Sequence, residues 1–321
     1  MRSLYAILAI CFLGISTISL AQTEEKNING NEVEKIITNS YNVGKAGSLS
    51  ISNSFGDINI ESFSGSKIEV EVTVTVEAKK LDDTWKYLDK IKIDVSESGN
   101  EVRLKTINEI NGGNKIREFS IDYDVKVPEG TSLKIRNTFG DLYIQGTGGE
   151  LDINVQHGDA RIGKATLASE HIQELSVQFG DLRVEEVHNA NVRVQHGDFI
   201  IERLHGGEVD LGFGDGRIEH LSGEVRLDVS HSELEVEHID DALERMDGTF
   251  QFSEFSLTGV GNGDFEIDAE GSFTDFDMRG NFDVVEREEG INSESYRLFT
   301  GDKESAKKIR LRGSHSDLNI D

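Results

Sequence analysis

The 321-residue chain is poor in the residues that staple, kink or catalyse. It has one cysteine, one proline, one tryptophan and three methionines. One cysteine excludes a disulfide framework and a cysteine-rich metal module. One proline, Pro128, leaves the chain free to run in extended strands. There is no G-x-S-x-G, no H-E-x-x-H and no reactive-cysteine signature, so the common hydrolase and metalloprotease patterns are missing. Basic residues are also scarce, 33 against 60 acidic ones. Such a surface repels nucleic acid and anionic lipid headgroups and suits solubility or cation binding.

Long apolar runs are missing except at the start. Residues 4–20 are apolar, Arg2 precedes them, and Ser19-Leu20-Ala21 before Gln22 fits a small-x-small cleavage site. Residues 1–21 therefore read as a secretory signal, against the competing reading of a retained anchor. Cys11 sits inside the run without a lipobox and would leave with the leader. The mature chain would then carry 32 basic and 60 acidic residues, a balance of −28, and no second stretch approaches membrane-spanning length. The expected location is outside the cytoplasm of a Gram-negative bacterium, in the periplasm, at the surface or secreted.

What the chain has in abundance is one short phrase. It reads Phe139-Gly140-Asp141, His157-Gly158-Asp159, Phe179-Gly180-Asp181, His196-Gly197-Asp198 and Phe213-Gly214-Asp215, then, degraded, His231-Ser232-Glu233 and Phe252-Ser253-Glu254. The steps are 17 to 22 residues and the first position alternates Phe and His. A period near 20 marks a solenoid, in which each rung buries its apolar side against its neighbours. Before each phrase apolar residues alternate, as in Leu151, Ile153 and Val155, or Val192 and Val194; after it they resume at an odd offset, as in Leu182 and Val184. Each rung is thus strand, Gly-Asp corner, strand and return. On this reading glycine supplies the unusual φ, and the Phe or His continues the strand parity and points inward.

The rest of the chain frames these rungs. Residues 22–47 are polar and read as a flexible lead-in. Leu49, Ile51, Phe55-Gly56-Asp57, Ile58 and Ile60 give an isolated first rung. Residues 68–76 alternate cleanly, and Leu81, Trp85, Leu88 and Ile91 mark a short helix capped by Asp82 or Asp83. Strands are expected at residues 91–95, 102–107 and 119–127, with residues 111–114 as a loop tip. Residues 48–127 thus read as a first rung plus an inserted sheet and helix, and residues 128–321 as the solenoid. Residues 163–174 lengthen one rung, residues 286–306 read as irregular, and His315-Ser316-Asp317 restores a rung.

Residues 48–60, and Val127-Pro128-Glu129-Gly130-Thr131-Ser132-Leu133 leading into Phe139-Gly140-Asp141-Leu142, resemble the bacterial "putative adhesin" solenoid family. Its members carry serial Asn-Gly-Asp-Ile-type corners after Val-Pro-x-Gly, with Phe or His here where Asn is common. The resemblance covers residues 45–321 and implies an exported, all-β, single-stranded right-handed β-helix without catalytic residues to carry over.

Two sets of corner residues invite chemistry. His157, His196 and His231 are ligand types, but alternate rungs place them about 9–10 Å apart, which favours a column of His interleaved between Phe rings. Asp141, Asp159, Asp181, Asp198 and Asp215, with Glu233 and Glu254, form a candidate acid ladder. Either they cap turns through backbone N–H groups or they hold a cation such as Ca2+; the turn reading is preferred and no cofactor is expected. Gly259-Val260-Gly261-Asn262-Gly263-Asp264 fails as a calcium roll, and residues 158–165 fail as a phosphate loop because Ala165 replaces the hydroxyl. Lys307, Lys308, Arg310 and Arg312 read as a solvated strand flank. The leading functional expectation is a non-enzymatic envelope protein presenting strand faces to a protein or glycan. A carbohydrate-active β-helix enzyme is the alternative, and an envelope-stress or scaffold component a third reading.

Overall fold

The structure is a computed structural model that describes residues 23–44, 46–110, 115–165 and 171–321. The leader reading of residues 1–21 and the loop tip at 111–114 lie outside the described residues. The described chain is all-β, with one α-helix, Leu81–Leu88, and one 3-10 turn, Val260–Asn262. No helix among the described residues is long and apolar enough to cross a membrane. The chain divides into two compact units, residues 1–149 and 150–321.

In the first unit the lead-in is not flexible: Thr23–Asn29 and Glu32–Asn42 form an antiparallel hairpin. Its second strand pairs along its whole length with Lys67–Ala78, burying Val33, Ile37 and Tyr41. The polar composition hid this because one face needs few apolar residues, spaced four apart. Lys67–Ala78 continues antiparallel onto Ile116–Pro128. Its alternation buries Ile68, Val70, Val72, Val74 and Val76, at about 1.5–3 kcal/mol for each such side chain. The helix begins after Lys80, which makes no side-chain cap. Asp83 sits inside the first turn, bound to Lys86 and Lys115 at 3.3 Å each, rather than at the cap. Ser48–Ser54 pairs in parallel with Ser132–Thr138, so the phrases at Phe55 and Phe139 are neighbours although 84 residues of chain separate them.

Most strands of the second unit pair in parallel. Leu182–Gln195, Phe199–Gly212 and Asp215–Ser230 pair in succession, at an offset of 17 for the first two. Each rung passes the same inward positions to the next: Leu182, Phe199, Gly216 and Leu234 form one file. Phe199 fills the space above Gly216, where a Cβ would lie 2.5 Å from the ring.

The last rungs are out of chain order. Lys307–Ser314 lies in parallel between Glu233–Gln251 and Phe265–Ser272, and Asp317–Ile320 lies between Glu254–Leu257 and Asp275–Met278. Residues 286–306 are irregular only in part: residues 301–306 form turns, but strand occupies most of the segment before them. Asp283–Glu289 and Ser293–Thr300 form an antiparallel pair against Phe265–Ser272. Charge on both faces concealed their strand period.

Candidate functional site

The repeated phrase builds a ridge on the outside of the rungs. In the second unit the rings stack in the order His157, Phe179, His196, Phe213, His231, Phe252, His315, Phe273, with centroids 4.8–5.1 Å apart and planes within 20°. In the first unit Phe55 stacks on Phe139 at 5.1 Å and packs against Phe119 at 4.9 Å. His315 comes from the displaced strand and slots between Phe252 and Phe273. The alternation of Phe and His is therefore kept through space where chain order would have placed two phenylalanines together.

The rings point outward, contrary to the parity argument. Phe179 and Phe213 are 52 % exposed and Phe252 is 55 % exposed. The reason lies in the backbone. Phe139, His157, Phe179, His196, Phe213, His231 and Phe252 all have φ between 52° and 60°, in the left-handed region. A residue in that region no longer follows the pleat, so its side chain leaves the inward file. Bulky residues in this conformation cost about 1–2 kcal/mol each, and each stacked pair returns about 0.5–1.5 kcal/mol. Because every pair is shared by two rings, stacking recovers part of that cost.

The glycines serve a different purpose from the expected one. At the corners Gly140, Gly180, Gly197 and Gly214 do not carry the positive φ; they permit close approach. A Cβ on any of them would lie 2.0 Å from the carbonyl oxygen of the glycine one rung before it (Gly56, Gly158, Gly180 and Gly197 respectively).

The aspartates face backbone N–H groups. Asp159 Oδ1 accepts from the N–H of Asp181 at 2.9 Å, Asp181 from Asp198 at 2.9 Å, and Asp198 from Asp215 at 2.8 Å. In the first unit Asp57 Oδ1 accepts from Asp141 N–H at 2.8 Å. Where Ser replaces Gly, its hydroxyl accepts instead: Ser232 Oγ from Gly214 N–H at 3.2 Å and Ser316 Oγ from Ser253 N–H at 3.2 Å. Each of these carboxylates thus spends one oxygen on its neighbour rung, which lowers the repulsion expected of a bare acid ladder.

A second group, absent from the sequence reading, lies at another bend of the rungs. There Asn189, Gly206 and Gly223 take φ of 48°, 77° and 75°. The residues just before them, His188, His205 and Ser222, are in register on successive strands. Glu186 Oε1 lies 3.4 Å from His188 Nε2 and 3.4 Å from His205 Nε2. Burial alone would raise the Glu186 carboxyl, but the His188 hydrogen bond and nearby Lys164, His205 and His188 hold it below its usual range. Burial, then His188, push the His205 imidazole down, against the opposing pull of Glu186. The 17-residue spacing of His171, His188 and His205 equals the rung offset and is the signal that would have found this group. His171 itself turns to Glu150, 2.9 Å away.

A cleft of about 240 Å³ near residues 268–312 bears on the enzyme alternative, because acids and arginines line it together. There Arg297 binds Asp268 and Glu286 at 2.9 Å each, so those carboxylates are engaged in ion pairs.

No family model matches the sequence, and no curated protein matches it. Solved structures to which the chain is similar include a "putative adhesin" of Bacteroides fragilis NCTC 9343 (TM-score 0.33, 13 % identity, covering 89 % of this chain and 97 % of that one). A second is a "putative adhesin" of Parabacteroides merdae ATCC 43184 (TM-score 0.36, 12 % identity, 68 % and 92 %). A third is a "putative lipid binding protein" of Parabacteroides distasonis ATCC 8503 (TM-score 0.35, 10 % identity, 89 % and 96 %). Similarity at this level leaves the function to be read from the residues of the chain itself.

Proposed function

We propose that this is an exported, non-enzymatic protein of the Gram-negative cell envelope, a right-handed β-solenoid that adheres to an envelope protein or glycan through its corner ridge. The ridge carries the reading. Eight rings at steps of 4.8–5.1 Å give an aromatic, edge-outward stripe, alternately phenyl and imidazole, roughly 34 Å long. Half-exposed phenylalanines cost solubility and leave apolar surface in water, which the fold itself does not require, because Asn or Gly tolerates the same φ. A row of exposed aromatic rings, with apolar phenyl edges at every second position, is the kind of surface that marks an interaction site. The leader-like start and the acidic surface fit export and solubility.

The ring faces are taken up by their neighbours, so a ligand meets ring edges and imidazole nitrogens. That suits a long partner lying along the stripe better than a small molecule clamped between rings. The paired variant Phe179→Asn/Phe213→Asn tests the reading, since Asn accepts the left-handed conformation while removing the rings. Unchanged circular dichroism with at least a tenfold loss of binding on an array of envelope glycans, or to an envelope-protein extract, supports it. Equal binding by the variant would sink it. Release of reducing ends or unsaturated sugars from uronic-acid polysaccharides by the parent protein would instead establish the carbohydrate-active alternative.

A further inference from the structure

We propose that Glu186, His188 and His205 form a binding site for a transition-metal dication, with Zn2+ the best match. This site is separate from the ridge and does not depend on the adhesive reading.

Among the described residues, this is where three ligand-type side chains converge, with donor atoms all within 4.8 Å of one another. Two of the three separations, Glu186 Oε1 to each Nε2, are 3.4 Å. In a tetrahedral zinc site with bonds of about 2.0–2.1 Å, ligand atoms stand roughly 3.3–3.4 Å apart. The same 3.4 Å is long for a hydrogen bond, whose usual N···O range ends at about 3.2 Å. At His205 the contact lacks hydrogen-bond geometry altogether: Nε2 is buried and has no hydrogen-bond partner.

The other nitrogen of His205 explains which way the ring is set. Nδ1 lies 2.7 Å from Ser222 Oγ, and Ser222 is buried. A proton on Nδ1 donated to that hydroxyl leaves the lone pair on Nε2, aimed at Glu186 and His188. Fixing the far nitrogen of a ligating imidazole in this way is what outer-shell partners do in metal sites. At His188, Nε2 faces Glu186 across a 3.4 Å contact; ligation through that nitrogen needs the ring proton on Nδ1, so the proton moves from Nε2 to Nδ1 by way of solvent and the imidazole stays neutral.

The scaffold is suited to holding the three groups still. Glu186 and His188 share one face of a strand, and His205 stands opposite His188 on the next, inside a parallel pairing that runs through both rungs. Two imidazoles and one carboxylate favour zinc or its transition-metal neighbours over calcium or magnesium, which take oxygen ligands. Lys164 Nζ lies 3.6 Å from Glu186 Oε2, so it engages the oxygen that the site does not need.

The experiment uses untagged, chelator-treated full chain and titrates ZnCl2 calorimetrically, with the absorption of CoCl2 as a second readout of tetrahedral N/O ligation. One equivalent is expected for the parent. Glu186→Gln and His188→Gln should each weaken it at least tenfold with unchanged circular dichroism, whereas His196→Asn on the ridge should leave it intact. No saturable binding by the parent overturns the proposal. So does binding that survives Glu186→Gln and His188→Gln, or that falls as much in His196→Asn, because the metal would then sit on surface histidines.

Discussion

The glycine at each corner makes the sharpest claim, because its role is steric and its partner is backbone. In Gly180→Ala the new Cβ would start 2.0 Å from Gly158 O and 2.6 Å from Gly158 C, and ordinary contact begins near 3.4 Å. The two rungs must therefore separate by 3.4 − 2.0 = 1.4 Å at this point. The bonds flanking the corner are His157 N–H to Gln178 O at 2.9 Å, Ala160 N–H to Asp181 O at 2.8 Å and Asp181 N–H to Asp159 Oδ1 at 2.9 Å. An opening of that size breaks or badly stretches at least two of them, at about 0.5–1.5 kcal/mol each. Residual overpacking adds about 1–3 kcal/mol. The expected loss is about 3 kcal/mol or more, read from urea unfolding followed by circular dichroism. Gly261→Ala is the control, because nothing lies within 4 Å of its would-be Cβ; it should stay within about 0.5 kcal/mol of the parent. If the two variants unfold at the same urea concentration, the close-approach explanation of the repeat is wrong.

Other consequences can be checked alongside. Asp198→Ala removes the acceptor for Asp215 N–H, which lies 2.8 Å away at an exposed site, and should cost about 1 kcal/mol; Asp198→Asn keeps an acceptor and should cost less. Added calcium should leave the melting temperature of the parent unchanged if the carboxylate acts only on a neighbouring rung; a calcium-dependent rise in the parent that Asp198→Ala loses would establish the cation reading. Burial raises Tyr41 and Tyr123 to about 12, with Glu97 adding to Tyr41 and Tyr41 to Tyr123. The neutral phenol is thus favoured in the fold: stability is intact below the unfolded value near 10 and falls as pH rises through about 12. A spectrophotometric titration should show a late tyrosinate phase that disappears in urea, and a single phase near 10 in the native protein would contradict the burial of these side chains.

Some of this architecture can be read directly from residue order. Alternation such as Ile68, Val70, Val72, Val74 and Val76 needs only the two-residue strand period, and the buried face follows from it. The spacing of the Gly-Asp phrases likewise sets which rungs can be neighbours, because equal chain lengths return to equal heights. Among the expectations that failed, the lead-in and the ring direction show where a local pattern was extended past its limit. The polar lead-in became a hairpin because Lys67–Ala78 offered an edge to pair with. The rings turned outward because a positive φ breaks the parity on which their inward placement rested.

The sequence by itself determined the strand-rich character of the chain, its repeat length and the files of aliphatic side chains, since all three depend on periodicity along one backbone. Tertiary structure alone decided the direction of the rings, the insertion of His315 between Phe252 and Phe273, and the meeting of Glu186 with His188 and His205. Those features depend on a dihedral angle and on which strands lie side by side. Neither is carried by any single stretch of residues; both are settled when backbone hydrogen bonds between distant segments close the rungs.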